Sequence, residues 1–306
     1  MRLVFAGTPE PAVPSLRALQ ASGHQVTRVL TRRDAPRGRK RVLTPSEVAV
    51  TAHEFGLELI KADRLDQSVA TELDLHCADL GVIVAYGALV PEPLLSQPRY
   101  GWINLHFSAL PRWRGAAPVQ HALIAGDQST SVSVFQLVPR LDAGDLLGEE
   151  PYPIPSQTNA GELLRNLAPL GAKLLVRVVN QIDAGTAVRT PQNGEVTLAP
   201  KLTDQDGLLR FREPRERILA RFRGVTPEPG AHFSVAETRV KVAEARAASD
   251  GVDTLAPGVL TLSAGEVLIG TGTDPIVLER VQPAGKRPMD AADWFRGLRA
   301  TKAVAD

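Results

Sequence analysis

Short apolar, β-branched runs alternate with helix-length stretches through the first half of this chain, and that alternation limits it to few architectures. Leu3–Ala6, Gln25–Leu30, Leu57–Ile60, Val82–Ala85, Trp102–His106 and Ser131–Leu137 read as strands. Helices are expected over Pro11–Ala21, from the capping-box pattern Thr44-Pro45-Ser46-Glu47 toward Phe55, over about Asp66–Cys77, and near Val119–Ala125. Val82–Ala85 is apolar without a break, as a central strand buried on both faces requires. The βαβα order predicts an α/β fold, a Rossmann-like, mainly parallel sheet flanked by helices.

The character changes in the second half. A helix over about Ala160–Ala184 is followed by Thr190–Thr203, rich in Pro, Gly, Asn and Thr and without periodicity. An arginine-rich helix, Glu213–Phe222, then leads into Thr238–Val242, Gly258–Leu262, Val267–Ile269 and Pro275–Leu278, short strands broken by Gly and Pro. Spaced strands of this kind predict a small β-barrel, OB-like in size. A chain of 306 residues is long for one domain. The expected division is 1–189, a linker over 190–207, and 208–306.

Composition excludes several classes. With 43% hydrophobic and 23% charged residues the chain is globular, and a net charge of +1 rules out a broadly basic nucleic-acid coat but not a local patch. The single cysteine, Cys77, cannot form an internal disulfide, and a buried apolar place in a helix is expected for it. No CxxC or HExxH spacing supports a metal site. Neither a signal peptide nor a run of membrane-spanning length is present, so a cytoplasmic, reduced location is expected.

Polar chemistry concentrates at one place. Asn104 and His106 are two residues apart at the end of a strand, so they share a face. Ligands in such sheets sit at the carboxyl ends of strands. Downstream lies Leu141-Asp142-Ala143-Gly144-Asp145. An amide, an imidazole and a carboxylate could therefore converge on one reacting carbonyl. Each also has a plain reading: backbone partners for Asn104 and His106, turn chemistry for Asp142 and Asp145. Ala6-Gly7-Thr8-Pro9 lacks the spacing of a dinucleotide or phosphate loop and reads as a tight turn. In Thr31–Arg41 six of eleven residues are Lys or Arg, which suits a solvated loop or an RNA contact. Arg112-Trp113-Arg114-Gly115 either packs Trp113 over the sheet edge or shapes the pocket mouth.

The stretch Ile103-Asn104-Leu105-His106-Phe107-Ser108-Ala109-Leu110-Pro111-Arg112-Trp113-Arg114-Gly115-Ala116-Ala117-Pro118 with Leu141–Asp145 closely resembles the methionyl-tRNA formyltransferases, including the interval of 36 residues from His106 to Asp142 (142 − 106). Phe5–Pro9, Val84-Ala85-Tyr86-Gly87 and Val281-Gln282-Pro283-Ala284-Gly285-Lys286 extend the resemblance over nearly the whole chain. Two places depart: Ala109 stands where the family usually has Leu, and Thr226–Gly230 replaces an aromatic-proline segment at the entry to the second domain.

The resemblance implies transfer of a formyl group from 10-formyltetrahydrofolate to the amino group of methionine on initiator tRNA, without a metal. Asn104 and His106 would stabilise a tetrahedral intermediate, each preset donor being worth about 10²–10³ in rate, while Asp142 assists His106 in proton transfer. It places the folate against Val84, Ala85, Tyr86 and Gly87, with Ser108, Leu110 and Pro111 beside it. It places the tRNA on the basic loop, Arg37, Arg39, Lys40 and Arg41, and on Arg215, Arg217, Arg221, Lys286 and Arg287 of the second domain. A monomer is expected. The rivals are a formyltransferase for a small amine, which needs neither the basic loop nor a second domain, and a catalytically silent RNA binder, which needs no trio.

Overall fold

The computed structural model describes residues 1–38 and 41–305. Its backbone clusters into two units: Met1–Pro118, Ser129–Pro153 and Leu164–Pro200 form the first, and Val119–Gln128, Ile154–Leu163 and Lys201–Asp306 the second. In chain order the elements up to residue 200 are β1 (Arg2–Gly7), α1 (Val13–Gln20), β2 (Gln25–Thr31), β3 (Ala35–Arg37), β4 (Val42–Thr44), α2 (Glu47–Glu54), β5 (Leu59–Lys61), α3 (Gln67–Glu72), β6 (Leu80–Val84), β7 (Trp102–His106), β8 (Arg114–Gly115), α4 (Pro118–Ala125), β9 (Ser129–Gln136), β10 (Leu146–Pro153), α5 (Ala160–Asp183) and β11 (Leu198–Ala199).

Seven of these strands make one sheet in the order β10-β9-β7-β6-β1-β2-β5. The pairs β1–β2, β2–β5, β1–β6 and β6–β7 are parallel, and β7–β9 and β9–β10 antiparallel. The expected mainly parallel α/β sheet is thus the one found. Every residue of β6 is buried, as its unbroken apolar sequence requires. The chain runs outward from β1 to β5 and then restarts on the other side of β1 at β6, which makes a switch point where the strand ends part. Strand β10 is not expected from Leu146–Pro153, where two prolines and two glutamates interrupt the pattern; it is an edge strand whose outer side is bridged at Leu146 by Thr190, and proline is tolerated on such an edge.

Three local expectations are corrected. Helix α2 begins two residues after the Thr44 pattern suggests. Thr44 is held in β4 opposite Ala35, and Ser46 is the N-cap, its hydroxyl accepting the Ala49 N–H at 3.0 Å and meeting Thr31 Oγ1 at 2.7 Å. The helix expected over Asp66–Cys77 stops at Glu72, because Asp74 takes a left-handed backbone (φ 52°) and only a 3₁₀ turn, Leu75–Cys77, follows. Cys77 on that turn is exposed, not buried.

The second unit contains α6 (Arg215–Gly224), β12 (His232–Val235), β13 (Thr238–Ala247), β14 (Val259–Ser263), β15 (Glu266–Ile269), β16 (Ile276–Pro283), β17 (Met289–Asp290), α7 (Ala291–Gly297) and β18 (Lys302–Val304). Its sheet runs β12-β13-β16-β15-β14-β18, antiparallel throughout, and a bridge from Val235 to Ala305 joins the two outer strands and closes a barrel. The core is apolar and aromatic. Phe233 meets Phe211 edge-on at 5.4 Å and Trp294 at 6.2 Å, contacts worth about 0.5–1.5 kcal/mol each beyond their buried area. Helix α7 is capped by Asp290, which accepts the N–H groups of Ala292 and Asp293.

Candidate active site

A cavity of about 710 Å³ opens at the carboxyl ends of β1, β6 and β7. Apolar groups make most of its wall, among them Ile83, Ala88, Leu89, Phe107 and Leu198, and its polar members include Asn104, His106, Arg114 and Asp142. The structure therefore brings together the three residues selected from the sequence, two from a strand end and one from a turn, on one wall. A pocket of this volume and character suits a small organic ligand held by few polar groups.

His106 is 5% exposed. Its Nε2 lies 2.9 Å from the carbonyl oxygen of Trp113, and because a carbonyl only accepts, Nε2 carries the hydrogen. In the neutral ring Nδ1 is then a bare lone pair, an acceptor of protons. With Nε2–H engaged by Trp113, the ring offers a second N–H, at Nδ1, only once it is protonated. Burial pulls the imidazole below the ordinary histidine range, while the neighbouring Asp142 carboxylate acts in the opposite direction.

Asp142 Oδ2 stands 3.9 Å from His106 Nδ1, outside hydrogen-bond range, and accepts the Gly115 N–H at 2.7 Å. The carboxylate is thus anchored to backbone beside the ring without being bonded to it. Asn104 Oδ1 is buried and has no hydrogen-bond partner among the described residues. Such an atom costs about 1–3 kcal/mol, which is recovered when a donor arrives.

The backbone around these groups is strained. Ala85, Trp113 and Asp142 have left-handed φ values of 49°, 63° and 44°, a conformation non-glycine residues rarely adopt and which clusters at functional sites. Gly115 (φ 127°) is needed where it is, since a Cβ there would come within 2.6 Å of the Ala199 carbonyl oxygen. At Gly144 a Cβ would fall 1.7 Å from the Gln136 carbonyl oxygen, so the turn can press against β9 only as glycine.

Part of what holds this backbone comes from the segment expected to be linker. Strand β11 pairs with β8, the Trp113 N–H donates to Thr197 Oγ1 at 2.9 Å, and the Arg114 N–H to the Thr197 carbonyl at 2.9 Å. Gln192 bonds both the buried Arg114 guanidinium and the Asp142 turn. Sequence reasoning singles out neither residue; the only signal is a stretch too polar for a strand that ends in Leu198-Ala199-Pro200.

The other selected residues fall into groups. Ala85, Tyr86 and Gly87 line the cavity. The Tyr86 hydroxyl donates to the Ala62 carbonyl at 2.8 Å, which anchors the wall, and burial pushes its pKa up to about 12. Val84 is buried in β6, while Ser108, Leu110 and Pro111 are not among the lining residues. The Ser108 hydroxyl donates to the Arg112 carbonyl and its own carbonyl accepts from Ser133, which makes it a strut of the loop. In the basic segment Arg37 belongs to β3 and Arg41 is exposed, whereas Arg39 and Lys40 lie outside the described residues. Arg32, counted in the same run, is bonded to Asp63 and to the Gly87 carbonyl at 2.9 Å, and so braces the cavity wall. In the second unit Arg217, Lys286 and Arg287 are exposed, Arg215 pairs with Glu216 and Asp274, and Arg221 donates to the Asp206 carbonyl. No cluster of three or more His, Cys, Asp or Glu able to hold a metal occurs among the described residues, and no helix there is long and apolar enough to cross a membrane.

Residues 1–179 match the Formyl transferase family and residues 201–299 the family of the formyl transferase C-terminal domain. The class is thus an enzyme that transfers one-carbon groups. A methionyl-tRNA formyltransferase of Leifsonia xyli subsp. xyli is 56% identical over 297 residues, 97% of each chain, and one of Clavibacter sepedonicus is 54% identical over 305 residues, 100% of both chains. The chain belongs to the methionyl-tRNA formyltransferase family. Among solved structures, an N-formyltransferase of Helicobacter canadensis in complex with folinic acid and dTDP-3-aminofucose shares the fold, with a TM-score of 0.69 at 16% identity over 90% of this chain and 98% of that one.

Proposed function

We propose that this chain formylates the methionine of initiator methionyl-tRNA for translation initiation in the cytoplasm, with 10-formyltetrahydrofolate as donor. The observation that carries the reading is the convergence of Asn104, His106 and Asp142 on one apolar cavity, with a buried amide oxygen still lacking a donor. The donor's flat ring system suits the wall made by Ala85–Gly87, Ile83 and Leu105, where backbone groups can meet its polar edge. Val84 precedes this wall in the buried strand β6, and with Ser108, Leu110 and Pro111 of the loop after β7 it is assigned to the folate side of the site.

In this mechanism the Asn104 amide N–H₂ donates to the formyl oxygen as negative charge develops there, and Oδ1 accepts from the attacking amine. Nδ1 of His106 takes the proton that the amine must lose. The imidazolium so formed is stabilised by Asp142 at 3.9 Å and returns the proton to the departing folate nitrogen. Asp142 acts on the ring through its field, since its Oδ2 accepts the Gly115 N–H and lies beyond hydrogen-bond range of Nδ1. The low basicity that burial imposes suits His106 to this role, since the ring is neutral, and hence a base, at the pH of the cell.

Recognition of the tRNA is assigned to the basic segment with Arg37, Arg39, Lys40 and Arg41, and to the exposed Arg217, Lys286 and Arg287. Arg215 is the weakest member, being already paired. The test is transfer of labelled formyl from 10-formyltetrahydrofolate to methionine-charged initiator tRNA, beside free methionine and a small amino sugar. Label confined to the charged tRNA is expected. Label on a small amine alone overturns the acceptor, and none anywhere overturns the activity.

A further inference from the structure

We infer that Gln192 is a positioning residue, its side-chain amide clamping the Asp142–Gly144 turn and so fixing the carboxylate beside His106; this rests on the reading of that trio as the reacting site. Gln192 Nε2 donates to the carbonyl oxygens of Asp142 and Gly144, each at 2.8 Å, and Oε1 accepts from Arg114 Nε at 3.1 Å and Nη2 at 2.5 Å. Both donors and both lone pairs of the amide are used. Its orientation is fixed by chemistry, since the flipped amide would set its oxygen against two carbonyls and its N–H₂ against a guanidinium.

The bonds form a closed circuit. The Asp142 carboxylate takes the N–H of Gly115; the preceding residue, Arg114, is gripped by Gln192; Gln192 returns to the carbonyl of Asp142. A turn held at both ends by one rigid amide keeps Asp142 in its left-handed conformation (φ 44°). Without the clamp the turn can relax toward an ordinary backbone, and the carboxylate leaves its place 3.9 Å from Nδ1. Gln192 itself is not among the residues lining the cavity, so its effect on chemistry passes through Asp142.

The test uses the full-length enzyme carrying Gln192→Leu or Gln192→Glu. The first removes all four bonds; the second keeps an acceptor for Arg114 but offers no donor to the two carbonyls. For both, kcat is expected to fall about 10²-fold, the scale of a small misplacement of a reacting group, with KM for the folate and the tRNA within about twofold. A clamp that matters only for folding would lower Tm and leave the kcat of the folded fraction unchanged. Nuclear magnetic resonance of labelled histidine supplies a readout independent of turnover. Besides His106, the titratable residues lining the cavity are Tyr86, Arg114 and Asp142; the Asp142 carboxylate raises the His106 pKa more than the bond to the Trp113 carbonyl does, so its release in Gln192→Leu shifts the His106 titration to lower pH. Wild-type turnover in folded Gln192→Glu, or an unmoved His106 titration in Gln192→Leu, overturns the proposal. Should Gln192→Leu not fold, the kcat and KM of Gln192→Glu decide. If the unmodified enzyme formylates nothing, the functional reading fails, and the His106 titration still decides the clamp.

Discussion

The cavity of the first unit and the charged surface of the second hold their polar groups in opposite ways. Around the cavity, His106 and Arg114 are buried, Asp142 is tied to a backbone N–H, and three non-glycine residues sit in the left-handed region. On the second unit, Arg239 pairs with Asp204, Arg246 with Glu266 and Glu279, and Arg217, Lys286 and Arg287 project into solvent. One region fixes a few atoms at structural cost; the other imposes little geometry and offers charge. Chemistry on a carbonyl needs the first kind of site, because a displaced donor loses most of its effect. Holding a phosphate backbone needs only the second.

The comparison can be broken most sharply at Asn104. Asn104→Ala is expected to lower kcat about 10²–10³-fold with folate affinity little changed; near-normal turnover, read beside a binding titration, would remove the amide from the mechanism. Asp142→Asn comes next, with kcat lower by about 10²-fold and the fold intact, since an amide oxygen can still accept the Gly115 N–H. Its pH profile adds a signed test. The proposed mechanism needs neutral His106, and burial lowers its pKa, so the acidic limb of kcat/KM in the wild type is expected below the ordinary histidine value of about 6.5. Asp142 opposes that lowering, so Asp142→Asn should move the limb further down. A limb at or above the ordinary value would mean another group is titrating.

Smaller effects sharpen the contrast. Gly144→Ala should cost about 1–3 kcal/mol in a denaturant titration, as the new methyl must displace β9 backbone. Arg239→Ala on the second unit should change stability by less than about 1 kcal/mol, the pair being half-exposed. Lys286→Ala with Arg287→Ala should leave kcat alone and reduce the salt dependence of tRNA binding by roughly one phosphate contact each. An unchanged salt slope places the RNA elsewhere.

Legibility in the sequence follows the same division. The parallel sheet is readable because buried strands are written as apolar runs, and Asn104 and His106 because two polar side chains on one strand face stand out. Asp142 is readable only in company, since Asp beside Gly is ordinary turn chemistry. Gln192 and Thr197 are not, because they act on the main chain of distant loops, and main-chain bonds leave no pattern in side-chain identity. The same holds for the closing bridge from Val235 to Ala305. Ser108, Leu110 and Pro111 sit inside a matching motif but are not among the residues lining the cavity, and the Ser108 hydroxyl and carbonyl are engaged within the fold.

The fastening of Trp113 by Thr197 spans 84 residues of chain. During synthesis, β1, β2, β5, β6 and β7 can pair before that partner exists, because each later strand neighbours one already made. Asn104, His106 and Asp142 would then be present on a nascent sheet whose 113–117 loop lacks its Thr197 bonds and whose Asp142 turn lacks those of Gln192. Only when the chain has emerged past Pro200 can the cavity wall close. Fragments ending before Gln192 would therefore carry Asn104, His106 and Asp142 without the bonds that hold the Asp142 turn.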